Sequence, residues 1–183
     1  TFSDIKQKNL GSYKAAIILS VLFYISTTVR TVGSSFLFTE IADGNYNTLF
    51  TIAQTFGLII LWSVSNWLVC SMFEGKGTFK EVYTATAYCL IPWVSYAFVK
   101  VIFSNFLPLS CEGLLNGIEI AILIYTVFMV AVAIIEIHEY DFFKVLLTSV
   151  VIIFFMILVV FIILMCAILL KQFYTFIGSI YEE

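Results

Sequence analysis

Residues 145–170 read VLLTSVVIIFFMILVVFIILMCAILL, bounded by Lys144 and Lys171 and carrying no charged side chain. At ~1.5 Å of rise per helical residue, this run more than spans the ~30 Å hydrocarbon core of a bilayer. It is too long for a barrel strand and lacks period-two alternation. The segment therefore specifies a helix surrounded by lipid, and the rest of the chain repeats the pattern. Across 183 residues, 62% are hydrophobic and 11% charged, with a mean hydropathy of +1.06. A water-soluble domain of that composition would expose very large apolar patches. Backbone polar groups in lipid are satisfied only by helices or closed barrels. The fold class expected is an all-α integral membrane protein.

Working outward from the fifth run, four others reach crossing length, at about 15–32, 49–72, 82–103 and 114–135. The first is preceded by Lys6, Lys8 and Lys14 and closed by Arg30, and the flanking sequence continues into further spans. It is expected to be a permanent helix rather than a cleaved signal. Pro92 falls inside the third run, where its missing N–H should kink the helix. Lys6, Lys8, Lys14, Lys76, Lys80 and Lys144 share one side, against Arg30, Lys100 and Lys171 on the other. The positive-inside rule then makes the N-terminus cytoplasmic and the C-terminus external, with Thr78 and Asp141 inside and Gly44 and Glu183 outside. With short loops throughout, residues 1–183 are expected to form one transmembrane domain. In the tail 171–183, Phe173, Phe176, Ile177 and Ile180 recur at i, i+3, i+4, i+7, opposite Gln172, Thr175, Ser179 and Glu183. This is an amphipathic end, suited to the headgroup layer or to a partner at the surface.

Several function classes are excluded. A net charge of −3 offers no basic field for nucleic acid. The four cysteines, Cys70, Cys89, Cys111 and Cys166, form no CxxC pair and read as small apolar fillers. Glu136-Ile137-His138-Glu139-Tyr140-Asp141 gathers carboxylates around the single histidine, but it has no HExxH spacing. It is expected to be a solvated loop. Gly75-Lys76-Gly77-Thr78 fails as a phosphate loop, because Cys70 stands where the first Gly belongs and Lys76 precedes Gly77. No GxSxG elbow is present. Neither catalytic residues, a cofactor nor a metal site is expected.

The fourth run carries the most pointed pattern. Gly113, Gly117 and Ala121 form a small-xxx-small ridge that lets another helix backbone approach closely. Beside it, Glu112, Asn116 and Glu119 make a polar stripe. Glu119 lies far enough into the span that an unpaired carboxylate would cost about 2.5 to 3.5 kcal/mol on insertion scales. It requires a proton or a partner, and Lys100 or Arg30 is placed to serve. Three roles remain open for it: glue within the bundle, docking of another subunit, or handling of a transported ion. A carrier would ordinarily show paired repeats with interrupted helices, and five unequal spans do not.

Ala87-Tyr88-Cys89-Leu90-Ile91-Pro92 in the third of five spans resembles the Gly-Tyr-x-Leu-x-Pro segment of the Yip1 domain family, with Ala87 in place of the leading Gly. Ala87, Tyr88, Leu90 and Pro92 carry that match. Asp4-Ile5-Lys6, Gly11-Ser12 and the Gly75–Glu81 segment are similar to bacterial members in particular. The eukaryotic relatives act in vesicle traffic through a long cytoplasmic N-terminal region that does not match here. The bacterial ones are often encoded beside carbohydrate ABC importers. The resemblance thus implies a non-enzymatic accessory or scaffold subunit of a membrane complex in the bacterial cytoplasmic membrane, with the bilayer and other subunits, ABC transporter permeases among them, as partners. A stand-alone membrane-organising or trafficking-type protein is the alternative, followed by a small carrier using Glu119.

Overall fold

The computed structural model describes residues 12–33 and 47–181, with side chains at 109 and 178–181 left aside. Among the described residues every regular element is helical. They are α1 (Tyr13–Gly33), α2 (Thr48–Met72), α3 (Phe79–Cys89), α4 (Ile91–Phe106), a single 3-10 turn (Leu109–Cys111), α5 (Glu112–His138) and α6 (Phe142–Tyr181). Taken together, α3 and α4 form one span, giving five helices long and apolar enough to cross a membrane. The chain is an all-helical membrane protein.

The bundle admits small polar residues to its interior beside apolar ones and turns large apolar side chains outward. Ser20, Ser26, Ser63, Ser65 and Ser104 are buried, whereas Ile18, Leu58, Ile124, Phe128 and Phe161 are exposed. Lipid solvates apolar side chains as well as a protein core does, so membrane helices bring small and weakly polar residues to their contacts. All but the Ser65 hydroxyl turn back on their own helices: Ser20 Oγ donates to Ala16 O at 3.0 Å, Ser26 Oγ to Phe23 O at 2.8 Å, Ser63 Oγ to Ile59 O at 2.8 Å and Ser104 Oγ to Val101 O at 2.9 Å. α1 packs on α4, α3 and α2, α2 also on α6 and α3, and α5 on α3 and α4.

The third span breaks at Leu90, between α3 and α4. Pro92 occupies the first turn of α4, where a missing N–H costs nothing, and Leu90 N–H closes α3 on Ala87 O at 3.2 Å. The residues that match the family segment thus sit on the break. Ala87 is fully buried, Tyr88 and Pro92 are half-buried, and Leu90 is the junction residue. A larger side chain than Ala87 would have no room there.

α6 runs without interruption from Phe142 to Tyr181. The amphipathic end read from the sequence is therefore the last turns of the fifth span's own helix, because no Pro or capping signal intervenes between Leu170 and Ile177. Phe173, Phe176 and Ile177 are exposed on it, and the side chain of Ile180 lies outside the described residues. Gly44, Glu183 and the Asp4–Gly11 opening also lie outside them. Val145, Thr148 and Ile152 anchor the first turns of α6 against Val69, Cys70 and Ile134. From Ile157 to Ile177 every residue but Val159 is exposed, so the second half of α6 stands away from the bundle.

Candidate functional site

Two polar centres lie near opposite ends of the bundle. The first is built by Arg30 near the end of α1, Lys100 in α4 and Glu119 about two turns into α5. Arg30 Nη1 donates to Glu119 Oε1, and Lys100 Nζ donates to Glu119 Oε2. The two cations thus occupy both carboxylate oxygens, and the Arg30 guanidinium also lies 5.3 Å over the Trp93 ring. Next to this group, the buried Tyr96 hydroxyl donates to Leu115 O at 2.7 Å and ties α4 to α5. Either cation could have satisfied Glu119 on sequence grounds, and the structure uses both. The arrangement fastens three helices through one carboxylate.

The other fourth-span candidates do not join this centre. Glu112, Gly113, Asn116, Gly117 and Ala121 are all exposed, while Glu119 is half-buried. Helical rotation of about 100° per residue puts Gly117 on nearly the opposite face from Glu119. A Cβ built on Gly113 or Gly117 meets nothing within 4 Å. The small ridge therefore takes no part in packing among the described residues, and Asn116 beside it is exposed.

The second centre lies at the lysine-rich end, where the α2–α3 loop closes over the α5–α6 corner. Glu136, Glu139 and Asp141 are exposed, as their charges led one to expect, but His138 is 1% exposed and Tyr140 6%, so the stretch is not solvated throughout. The reason is steric. A Cβ on Gly75 would stand 2.5 Å from His138 Nδ1 and 2.8 Å from both Cys70 O and the Tyr140 hydroxyl. One on Gly77 would stand 2.4 Å from Ile137 Cγ2. Only a loop lacking those two side chains can lie on His138, and it seals the ring from water.

Around this contact the hydrogen bonds are closely organised. The Tyr140 hydroxyl is 2.8 Å from Cys70 O, which also accepts from the Phe73 and Gly75 N–H groups, and 2.9 Å from Phe73 O, both at the end of α2. Burial pushes the Tyr140 phenol up to about 12. Its ring stacks on His138 at 5.6 Å and receives Lys144 Nζ at 4.3 Å. Lys76 Nζ donates to Glu139 Oε2 at 2.6 Å, and that hydrogen bond raises the lysine's pKa. Glu139 ends α5 in the left-handed region at φ 56°. Thr78 and Glu81 form a capping box that starts α3. A void of about 10 Å³, room for about one water, lies beneath His138 against Asn66 and Thr86.

Sequence reasoning assigned this region to a loop and missed Gly75, Gly77, His138 and Tyr140 as one packing unit. The paired glycines were the available signal, although they do not say what approaches them. Among the described residues, no three His, Cys, Asp or Glu side chains are placed to hold a metal ion. Cys70 and Cys89 are buried free thiols.

No curated protein and no solved structure matches the chain. The family model of the Yip1 domain matches residues 1–165. The chain belongs to the Yip1 domain family.

Proposed function

We propose, from that membership, that this protein is a non-enzymatic accessory or scaffold subunit of a membrane complex. The observation that carries the reading is the outward face of α5: Gly113 and Gly117 face open space, and Asn116 presents an amide beside them. Small residues in a membrane helix permit close backbone approach, and an amide on the same face gains a hydrogen bond when another helix arrives. Among the described residues the ridge has no neighbour, which leaves it open to a second subunit. Glu119, held by Arg30 and Lys100, then serves to fix the angle at which α5 presents that face.

The assembly to which the resemblance points is a carbohydrate ABC importer of a bacterial cytoplasmic membrane, with the lysine-rich end inside. Extraction in a mild detergent and mass spectrometry of co-purifying subunits test the reading. Recovery with permease subunits supports it. Recovery as a lone monomer or homodimer replaces it with a stand-alone membrane-organising protein.

A further inference from the structure

The lysine-rich end contains a second feature, independent of the docking face. The first turns of α1 and α3 lie together there, joined by aromatic rings. Tyr13 and Tyr83 have ring centroids 5.5 Å apart, and Phe79 stacks on Tyr83 at 6.3 Å. The Tyr83 hydroxyl is fixed by Ser20 Oγ at 2.9 Å, so the platform is held from beneath. Lys14 follows Tyr13, and Lys80 precedes Tyr83 by three residues, which places Lys80 on the tyrosine's side of α3. Both lysines are exposed.

Among the described residues, neither lysine makes an ion pair. The nearest acid in sequence, Glu81, is committed to its cap, with Oε2 accepting from Thr78 N at 2.8 Å and from Thr78 Oγ1 at 2.9 Å. Glu136, Glu139 and Asp141 belong to the α5–α6 corner, where Glu139 is taken up by Lys76. Of the other described lysines of this end, Lys76 is engaged by Glu139 and Lys144 by the Tyr140 ring. Below Lys14, one face of α1 continues as Ile18, Leu22 and Ile25, all exposed to lipid. A cation and an aromatic ring at the interface, above an apolar stripe, match the phosphate, glycerol backbone and acyl chain of a phospholipid in that order.

We propose that Lys14 and Lys80, set about the Tyr13–Tyr83 platform, form a binding site for the headgroup of an anionic phospholipid whose acyl chain lies along Ile18, Leu22 and Ile25. The site is a phospholipid site rather than a free-phosphate site because the charge pair stands directly over the apolar stripe.

Native mass spectrometry of the full chain, titrated with phosphatidylglycerol or with phosphatidylcholine of the same acyl chains, tests it. The unaltered protein should retain phosphatidylglycerol in clear preference. Lys14→Gln and Lys80→Gln should each reduce that retention about fivefold, the scale on which one basic residue acts near an anionic surface. Phosphatidylcholine binding should not change, and Lys14→Arg with Lys80→Arg should keep the preference. Lys171→Gln, on α6 away from this end, should leave retention as it was. The proposal is overturned if the unaltered protein shows no headgroup preference or if Lys171→Gln costs as much as Lys14→Gln. Displacement of the lipid by inorganic phosphate, but not by chloride at equal ionic strength, would also overturn it.

Discussion

Gly75 and Gly77 at one end of the bundle and Gly113 and Gly117 at the other are indistinguishable as residues, yet their surroundings differ completely. The first pair lies so close to His138, Cys70, Tyr140 and Ile137 that added Cβ atoms would stand 2.4–2.8 Å from them. The second pair meets nothing within 4 Å. One pair is consumed in closing the fold and the other is left over. A glycine in a membrane protein marks a close approach, and only the structure says whether the approaching group is in the same chain. The two ends differ likewise in their helices. α6 is anchored by Val145, Thr148 and Ile152 where it starts, but past Ile157 it is bare.

The largest effect that would sharpen this contrast concerns the carboxylate that holds α5 in place. Glu119→Leu leaves Arg30 and Lys100 facing a low-dielectric site without an anion. The substitution should cost about 3 kcal/mol, the low end for breaking a buried pair because the group is partly exposed. Glu119→Gln keeps the volume and one acceptor and should cost about 1 kcal/mol. Unfolding in detergent measures both. Equal stability of the two variants, with any transport activity lost in both, would instead make Glu119 a transport group.

At the closed end, Gly75→Ala and Gly77→Ala should each lower stability by about 2 kcal/mol, as overpacking does, because a carbonyl and a ring already occupy the space. A normal unfolding midpoint for either variant would mean that the loop moves away without loss, and the contrast between the ends would fail.

The spans themselves were legible in the sequence because lipid imposes a run length that few other contexts imitate. Pro92 likewise announced the break between α3 and α4, and the position of Glu119 required a cation such as Lys100 or Arg30. The burial of His138 was not legible. Its neighbours Glu136, Glu139 and Asp141 have the charge of a solvated loop, and the decisive fact, two absent side chains at Gly75 and Gly77, lies about 60 residues away in sequence. The tail past Leu170 reads as a separate amphipathic end, whereas its continuity with the span depends on the absence of a stop signal. The family segment Ala87–Pro92 was recognisable by its pattern, and its placement on a helix break explains the small residue at Ala87.

A smaller effect is expected from Tyr140→Phe, which removes the hydroxyl from Cys70 O and Phe73 O and should cost about 1 kcal/mol. It also carries a pH signature. The phenol is raised to about 12 in the folded protein, against an unfolded value near 10. The unfolded chain therefore loses this proton first, and the tyrosine's contribution is intact below about pH 10 and disappears as the pH rises to about 12. Tyr140→Phe should be less sensitive to alkali across that window. An unchanged alkaline profile would mean that the hydroxyl is solvated.

The smallest effect on stability is expected at Gly117, and it bears on the proposed function most directly. Gly117→Leu adds a side chain where no described residue places an atom within 4 Å. The unfolding midpoint of the isolated protein should therefore match that of the unaltered protein, while subunits that co-purify in mild detergent should be lost, because the larger side chain holds the two helix backbones apart. Unchanged stability together with lost subunits is the result expected. Retention of the same subunits by Gly117→Leu, or a fall in the stability of the isolated chain, would contradict the assignment of this face to a partner.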